Sequence, residues 1–381
     1  MYFTEEHEMF RKTVRSFVEK EINPYVDEWE GAGIFPAHEL FKKMGDLGFL
    51  GLNYPEEYGG ADADYWYTVV FAEELARVNC GGVPMGIVVH TDMCTPALAQ
   101  FGSHELKKKF LLPACRGEIV GAIGVSEPDA GSDVSSIRTR AEKDGDDYII
   151  TGTKLYITNG TQADFICLLA CTSDEAGYHG MSLIITPTNL PGFNVGRKLK
   201  KLGNNSSDTG ELVFDHVRIP QWYRIGPEGK GFQLQMQQFQ KERLIGSIMA
   251  HSSCERTVRD TIRYTKERTA FGKPLIANQW IQFRLAELLT EIEALKQLNY
   301  HCARMLMEGF DFTLQASMAK LKAGRLTREV NDTCLQFYGG MGYMEETPIS
   351  RRFRDGRLLS IGAGADEIML GIIAKYEGFL G

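Results

Sequence analysis

The sequence predicts an α+β protein that is helical, then β-rich, then helical again along the chain. Helical periodicity opens the chain, since Phe10, Val14 and Phe17 fall on one face of a helix. Short β-rich runs separated by turn residues follow. Apolar residues at helical spacing return between Ile281 and Leu298. Three parts result: an N-terminal α-helical domain (1–118), a middle domain forming an antiparallel β-barrel or sandwich (119–228) and a C-terminal four-helix bundle (229–381).

The individual elements follow from local patterns in chain order. Pro24 should end the first helical segment, because proline lacks the N–H that continues a helix. Further apolar stripes of the N-terminal part are Leu40, Phe41, Met44, Leu47 and Leu50, then 67–78 and 93–101. Predicted strands are 148–150, 165–170, 181–186 and 211–219, the last closed by Pro220. The bundle stripe is Leu285, Leu288, Leu289, Ile292 and Leu295. These stripes form cores, and no chemistry is assigned to them.

Composition limits the possible functions. Of the 381 residues, 43% are apolar and 24% are charged, as in ordinary globular proteins. The formal net charge is −8 without a long basic run, so neither nucleic acid nor an anionic membrane is expected as the main partner. We expect no stable membrane insertion, because no apolar segment is long enough to span a bilayer. The polar start and the lack of an Arg-rich transit peptide favour a bacterial cytoplasm over a mitochondrial matrix.

The eight cysteines are scattered and form no CxxC pair. Several lie in apolar runs, as Cys167 does between Ile166 and Leu168, which is typical of buried reduced thiols. We therefore expect neither a disulfide framework nor a metal site.

The stretch from Ile123 to Gly160 organises the rest of the chain. An apolar run breaks at Pro128 and passes into the small residues 130–133. Backbone N–H groups can approach a ligand closely there, because glycine has no Cβ and serine adds a hydroxyl donor. An apolar strand then ends in the sequence KLYITNG at 154–160. On spacing alone, two strands joined by a polar hairpin account for this stretch.

The pair of motifs SEPDAGSD (126–133) and KLYITNG (154–160) resembles the flavin-contacting segment of acyl-CoA dehydrogenases. Further segments match in the same order, so the resemblance covers essentially the whole chain. It implies that family's helical, β and helical architecture, FAD as the cofactor, and oxidation of an acyl-CoA thioester to the 2-enoyl-CoA. This chemistry requires a cofactor, since no side chain accepts a hydride.

The resemblance implies two walls around the flavin ring. Ser132 would touch the substrate as well as the flavin, and Tyr156 would supply an aromatic surface. In the family, the neighbourhood of Ala365 and Glu367 also contacts the cofactor. One wall is Ile123, Val125, Ser126, Gly131 and Ser132, and the other is Tyr156, Ile157 and Thr158.

The catalytic base is predicted from two linked substitutions. The family's usual base is a glutamate in the C-terminal segment, and Ala363 stands in its place. The isovaleryl-CoA and long-chain subfamilies carry the base on a C-terminal-domain helix, in a pattern resembling Glu-Arg-Leu, and have a small residue at the first position. Glu242-Arg243-Leu244 matches that pattern, so Glu242 is the expected base for the α-proton. Burial beside the acyl chain should raise the pKa of Glu242 toward the operating pH.

The same helix is expected to hold CoA. Arg243 matches an arginine that does so in the family, although a structural ion pair would also account for an arginine here. Gln240, which replaces an acid of many relatives, and Lys241 are adjacent. The thioester carbonyl is expected to bind the backbone N–H of Ala363, beside Gly364, and the ribityl 2′-hydroxyl of FAD.

Two segments match those that hold the pyrophosphate and adenine of FAD. Arginine can donate two hydrogen bonds to a phosphate, and glycine lets the backbone approach the dinucleotide. In the family these segments reach the FAD of a neighbouring subunit, so a homotetramer is expected. The residues concerned are Arg268, Phe271, Gln279, Gln336, Gly339 and Gly340.

Two departures from the family pattern concern the cofactor. Asn205 replaces an arginine, which puts any contact of that arginine in doubt. Ala365 replaces a threonine, and the lost hydroxyl donor should weaken FAD binding modestly.

The expected activity is FAD-dependent α,β-dehydrogenation of a medium- or long-chain or methyl-branched acyl-CoA, such as citronellyl-CoA, with electrons passed to an electron-transferring flavoprotein. A base on this helix occurs in relatives that handle long or branched chains. Two alternatives stay open: a flavin oxidase that uses O₂, and a flavin-binding homologue without a working base. The chain is shorter than the family's acyl-CoA oxidases, and only Ala363 favours the inactive homologue.

Overall fold

The computed structural model describes residues 2–175 and 177–379, and it confirms the order of helices, sheet and helices. The N-terminal helices begin with α1, which Thr4 and His7 cap reciprocally: each side chain accepts a hydrogen bond from the other residue's backbone N–H. Short π-helical turns interrupt the helices at Val18–Ile22, Val89–Cys94 and Lys107–Leu111. The helices are α1 (Glu5–Phe17), α2 (Val26–Ala32), α3 (Ala37–Asp46), α4 (Tyr65–Leu75), α5 (Gly82–Val88), α6 (Thr95–Phe101), α7 (His104–Leu106) and α8 (Leu112–Cys115).

Two details of this part differ from the sequence pattern. Pro24 lies in a 3₁₀ turn, Asn23–Tyr25, although α1 itself ends earlier at Phe17. Leu47 was expected in an apolar stripe but is 50% exposed. The reason is that Leu47 follows the last residue of α3, so its side chain no longer obeys the period that buries Leu40 and Met44.

The middle part is one sheet with the strand order β6-β7-β3-β2-β4-β5-β8, and β1 pairs with β4. Its strands are mostly antiparallel, as expected, but β1 runs parallel to β4 and β2 meets β4 in parallel at Arg140 and Cys171. The strands are β1 (Gly121–Gly124), β2 (Arg140–Asp144), β3 (Asp147–Thr158), β4 (Phe165–Cys171), β5 (Met181–Pro187), β6 (Phe193–Lys198), β7 (Thr209–Pro220) and β8 (Arg224–Ile225).

The C-terminal part is built on three long helices that pack against one another, and a shorter helix packs on the third. The apolar stripe of the second long helix is buried at Leu285, Leu288, Ile292 and Leu295, as its spacing predicts, while Leu289 is half-buried. Helix α4 packs against the first long helix and joins the two helical parts. The elements are α9 (Gly231–Glu267), β9 (Thr269–Ala270), β10 (Lys273–Pro274), α10 (Gln279–Met307), α11 (Thr313–Tyr338), α12 (Pro348–Gly356) and α13 (Asp366–Tyr376).

The cysteines and the helix lengths bear on two general expectations. The eight cysteines are free thiols, and all are buried except the half-buried Cys171. Among the helices of residues 2–175 and 177–379, none combines the length and the apolar character needed to cross a membrane.

Candidate active site

Glu242 lies in α9 with its carboxyl group enclosed by protein. Its side chain is only 4% exposed, whereas a glutamate between a lysine and an arginine would ordinarily be solvated. Gln238, one helical turn earlier, donates from Nε2 to Glu242 Oε1 at 2.8 Å. The Gln238 amide also donates to the carbonyl of Met93 and accepts from the N–H of Ala97 at 2.9 Å. The carboxyl group of Glu242 is therefore held in one direction by a side chain that is itself fixed.

Burial raises the pKa of Glu242 to about 8. The hydrogen bond from Gln238 and the charge of Arg243 lower the pKa, and the charge of Asp92 raises it further. A carboxyl group of this kind changes its protonation state near neutral pH, which suits a general base.

The rate of the chemical step should follow the titration of Glu242. Only the carboxylate can accept a proton, so kcat/KM for flavin reduction should rise about tenfold per pH unit below pH 8 and level off above it. The folded chain also binds this proton more tightly than the unfolded chain. The free energy of unfolding should therefore fall as the pH rises from 4.5 toward about 8.

Stopped-flow reduction at limiting substrate and denaturant titrations across this pH range would measure both effects. A kcat/KM profile that stays flat across pH 8 would contradict the assignment of Glu242. The Glu242→Gln variant should lose this component of the pH dependence of stability.

Arg243 is a buried cation whose Nε atom has no hydrogen-bond partner. Its side chain is 6% exposed, and burial lowers its pKa while the charge of Glu242 opposes that shift. Within the described residues, no carboxylate lies close enough to form an ion pair with it. Its guanidinium group instead lies 6.0 Å from the ring centre of Phe239. A buried, unsatisfied guanidinium is costly without a partner, so this site fits an anionic or carbonyl ligand better than a structural ion pair.

The loop of Ala363 is held by a lysine that the sequence analysis did not assign. Lys320 of α11 is buried and donates to the carbonyl oxygen of Gly364. Burial lowers the pKa of Lys320 to about 8, and the charge of Asp366 opposes the shift. Ala363 adopts a left-handed conformation (φ 52°), which is uncommon for a residue other than glycine, and it is exposed.

Ala365 and Glu367 lie where the same loop enters α13. Ala365 is the N-cap residue of α13, and no side chain caps this helix end. A threonine at that position could have supplied a capping hydroxyl, which alanine cannot. Glu367 is exposed in the first turn of α13.

The two expected walls of the flavin site are brought together in the structure. The N–H of Leu155 donates to the carbonyl of Ser126 at 2.9 Å and joins the strand KLYITNG to the first motif. A β-bulge between Lys154 and Ile157 gives Tyr156 a positive φ of 65° and turns its ring outward, 68% exposed. Ile157 is buried, so its side chain belongs to the core.

The remaining wall residues differ in their exposure. Ile123, Ser126 and Thr158 are half-buried, and Val125 is buried. Gly131 and Ser132 are exposed, and a Cβ placed on Gly131 would meet no atom within 4 Å. An outward aromatic ring beside an open, glycine-containing loop fits a flavin.

A buried ion pair that the sequence analysis missed locks the two walls together. Lys154 donates to Glu127 Oε1 at 2.8 Å and to the carbonyl of Val125 at 3.0 Å. The Glu127 carboxylate also accepts from the N–H groups of Arg138 at 2.6 Å and Thr139 at 2.9 Å. Burial alone would raise the pKa of Glu127, but Lys154 holds it below its ordinary value. Glu127 belongs to the first motif and Lys154 to the second, but no local sequence pattern indicated that the two side chains form an ion pair.

The segments expected at the pyrophosphate and adenine lie together but far from Glu242. Arg268 directly follows the last residue of α9, about 40 Å from Glu242 at roughly 1.5 Å per residue. Tyr264, in the last turn of α9, stacks on Tyr338 with ring centres 4.0 Å apart, which brings the ends of α9 and α11 together. The expected residues Arg268, Phe271, Gln279, Gln336, Gly339 and Gly340 are all exposed.

The residues of α9 that were expected to bind the substrate divide between two faces of the helix. Gln240 and Arg243 are three residues apart and share a face. Lys241 lies instead in the wall of a cavity lined by N-terminal residues, among them Asp92. The structure therefore separates Lys241 from Gln240 and Arg243. Asn205 lies between β6 and β7, in the loop that follows Lys198.

Comparisons with known proteins agree with this architecture. Three family models match: acyl-CoA dehydrogenase N-terminal domain at residues 4–118, middle domain at 122–217 and C-terminal domain at 229–377. The mitochondrial long-chain specific acyl-CoA dehydrogenase of Sus scrofa is 40% identical over 375 residues, covering 98% of this chain and 86% of that protein.

Two solved bacterial structures share the fold of this chain over almost its whole length. Acyl-CoA dehydrogenase from Geobacillus kaustophilus is 42% identical with a TM-score of 0.96, covering 99% of both chains. A glutaryl-CoA dehydrogenase from Mycobacterium smegmatis, solved in complex with FADH2, is 29% identical with a TM-score of 0.92, covering 100% of this chain and 96% of that one.

Proposed function

Because this chain belongs to the acyl-CoA dehydrogenase family of FAD-dependent oxidoreductases, we propose that Glu242 is its catalytic base and that its substrate is a medium- or long-chain or methyl-branched acyl-CoA. The observation that carries the proposal is the buried Glu242 carboxyl group, which Gln238 holds in place and whose pKa burial raises to about 8. Ala363, at the usual position of the base, cannot accept a proton. Glu242 is then the group that removes the α-proton.

The chain's own groups would orient the thioester. The backbone N–H of Ala363 donates to the thioester carbonyl, and Lys320 supports this loop through Gly364. Arg243 and Gln240 bind the CoA portion from one face of α9, which would satisfy the unpartnered Arg243 Nε. FAD, held between the walls of Ser126 and Tyr156, supplies the acceptor for the β-hydride when it is bound.

We further propose a homotetramer in which Arg268 and the Gln336 segment bind the FAD of a neighbouring subunit. Their distance from Glu242 within one chain supports this arrangement, since one cofactor site would otherwise need residues about 40 Å apart. Phe271 is fully exposed in this chain, as an aromatic residue that meets another subunit would be.

Phe271→Ser should therefore lower the FAD content of the purified protein. Phe310→Ser is a matched control, since Phe310 is also exposed but lies between α10 and α11. Sedimentation analysis would give the assembly mass, and the absorbance ratio would give the FAD content. A monomer that retains full FAD would overturn the proposal.

The proposed activity is tested by mixing the yellow protein anaerobically with acyl-CoAs of different length and 3-methyl branching. Rapid bleaching of the flavin by medium, long or branched chains is expected, followed by reoxidation by an electron-transferring flavoprotein. Strict preference for butyryl-CoA would refute the proposed substrate class. Rapid peroxide formation in air would identify an oxidase, and no bleaching by any acyl-CoA would indicate an inactive homologue.

A further inference from the structure

A cavity of about 380 Å³ lies between the N-terminal helices and α9, on the side of Lys241. Its wall combines apolar residues such as Leu50 and Phe71 with polar ones. The polar side chains that matter here are Tyr65, Asp92 and Lys241.

The cavity adjoins the proposed base. Lys241 precedes Glu242 in α9, and the charge of Asp92 contributes to the raised pKa of Glu242. Gln238 links the two places directly, because its amide donates both to Glu242 and to the carbonyl of Met93, the residue after Asp92. Glu242 is therefore connected to the cavity wall through Gln238 and the adjacent residues Met93 and Asp92.

Three polar groups in the wall lack sufficient partners. Tyr65 is 9% exposed, and its buried hydroxyl makes no hydrogen bond in the described part of the chain. Lys241, which is half-buried, has neither a hydrogen bond nor an ion pair among those residues. The side-chain partner of Asp92 is the hydroxyl of Thr91, at 2.5 Å.

The charge of Asp92 acts on both of the other groups. Burial raises the pKa of Tyr65, and the charge of Asp92 raises it further. Burial lowers the pKa of Lys241, and the charge of Asp92 opposes that shift. The wall of this one cavity therefore contains a carboxylate, an ammonium group and a phenol.

The chemistry of this wall discriminates between acyl chains. A wholly aliphatic tail would remove water from Asp92, Lys241 and Tyr65 without replacing the lost hydrogen bonds. A second carboxylate would be attracted by Lys241 but repelled by Asp92, and an amine would meet the reverse combination. A hydroxyl group is neutral, donates to Asp92 and accepts from Lys241 or Tyr65, so it satisfies the wall without adding charge.

We propose that this cavity binds the distal part of the acyl chain and selects acyl-CoA substrates that carry a hydroxyl group beyond the β-carbon. This inference rests on the proposed dehydrogenase function and specifies the substrate class of the same site. The ligand is a hydroxyacyl-CoA, and the recognising residues are Tyr65, Asp92 and Lys241.

The test compares octanoyl-CoA with octanoyl-CoAs that carry a hydroxyl at successive carbons beyond the β-carbon, and with ω-carboxyoctanoyl-CoA. Anaerobic flavin reduction gives a half-saturating concentration for each. At least one hydroxylated isomer should saturate the protein at a concentration about tenfold lower than octanoyl-CoA, as one added hydrogen bond to a charged group implies. The ω-carboxy compound should bind more weakly than that isomer.

Variants identify the residues responsible. Tyr65→Phe removes the unpartnered hydroxyl while keeping the ring, so the preference ratio should move toward one. Tyr67→Phe makes the same change on the same helix outside the cavity wall, and it should leave the ratio as in the wild type. Asp92→Asn removes the repelling charge and should improve binding of ω-carboxyoctanoyl-CoA.

The outcomes separate this inference from the proposed function. Reduction by octanoyl-CoA with no advantage for any hydroxylated isomer would overturn the inference alone. A preference for the ω-carboxy compound would also overturn it. Absence of reduction by every acyl-CoA would instead refute the dehydrogenase activity on which it rests.

Discussion

Replacing Glu242 by glutamine should lower the rate of flavin reduction by about 10²–10⁴-fold, the usual contribution of a general base. Glutamine has nearly the same shape and can still pack beside Gln238, but it cannot accept the α-proton. The loss should appear in anaerobic single-turnover reduction, which isolates the chemical step from product release. FAD content and acyl-CoA binding should change little, because Glu242 is assigned to proton transfer and not to binding.

The Glu267→Gln variant is the matched control. Glu267 ends the same helix and is exposed, so neutralising it should leave the reduction rate near that of the wild type. Near-wild-type reduction by the Glu242→Gln protein would refute Glu242 as the base and would direct attention to another acceptor of the proton.

The second large effect is expected for stability. Lys154→Met should lower the free energy of unfolding by about 3–5 kcal/mol, because it leaves the Glu127 carboxylate buried without its cation. Lys154 is fully buried and Glu127 is 7% exposed, so water cannot replace the lost partner. Since Glu127 also holds the backbone N–H groups of Arg138 and Thr139, the loop of Ser132 should loosen and the FAD content should fall.

Denaturant unfolding of the variant and of Lys43→Met would measure the difference. Lys43 pairs with Glu21 at 2.7 Å, but both side chains are exposed to solvent, so its loss should cost less than about 1 kcal/mol. Equal losses of stability for the two variants would show that the Lys154 pair has no special role in joining the flavin walls.

Local periodicity in the sequence was enough to predict the architecture. The helical and β-rich parts follow from which residues recur on one face, and this information is present within a few turns of chain. Leu285, Leu288 and Ile292 are buried as their spacing requires. Leu47 is exposed because its helix ends one residue earlier, a boundary that periodicity does not define.

The linked pair of Glu242 and Ala363 could also be read from the sequence, because it depends only on residue types at matching positions. Burial could not. Flanked by Lys241 and Arg243, Glu242 resembles a solvated residue, and only packing against the segment of Met93 and Ala97 encloses it. The raised pKa is therefore a property of the tertiary structure.

The tertiary structure also decided which polar groups lie close to one another, for the same reason. Glu127 and Lys154 stand in motifs that the sequence analysis had singled out, and Asp92 and Lys241 are widely separated in the chain. Their charges matter because folding removes water from both members and sets them in one enclosure. The sequence by itself thus determined which chemical groups are present and in what order. Only long-range packing decided which of them lose solvent and meet, because desolvation and pairing depend on contacts that no local pattern records.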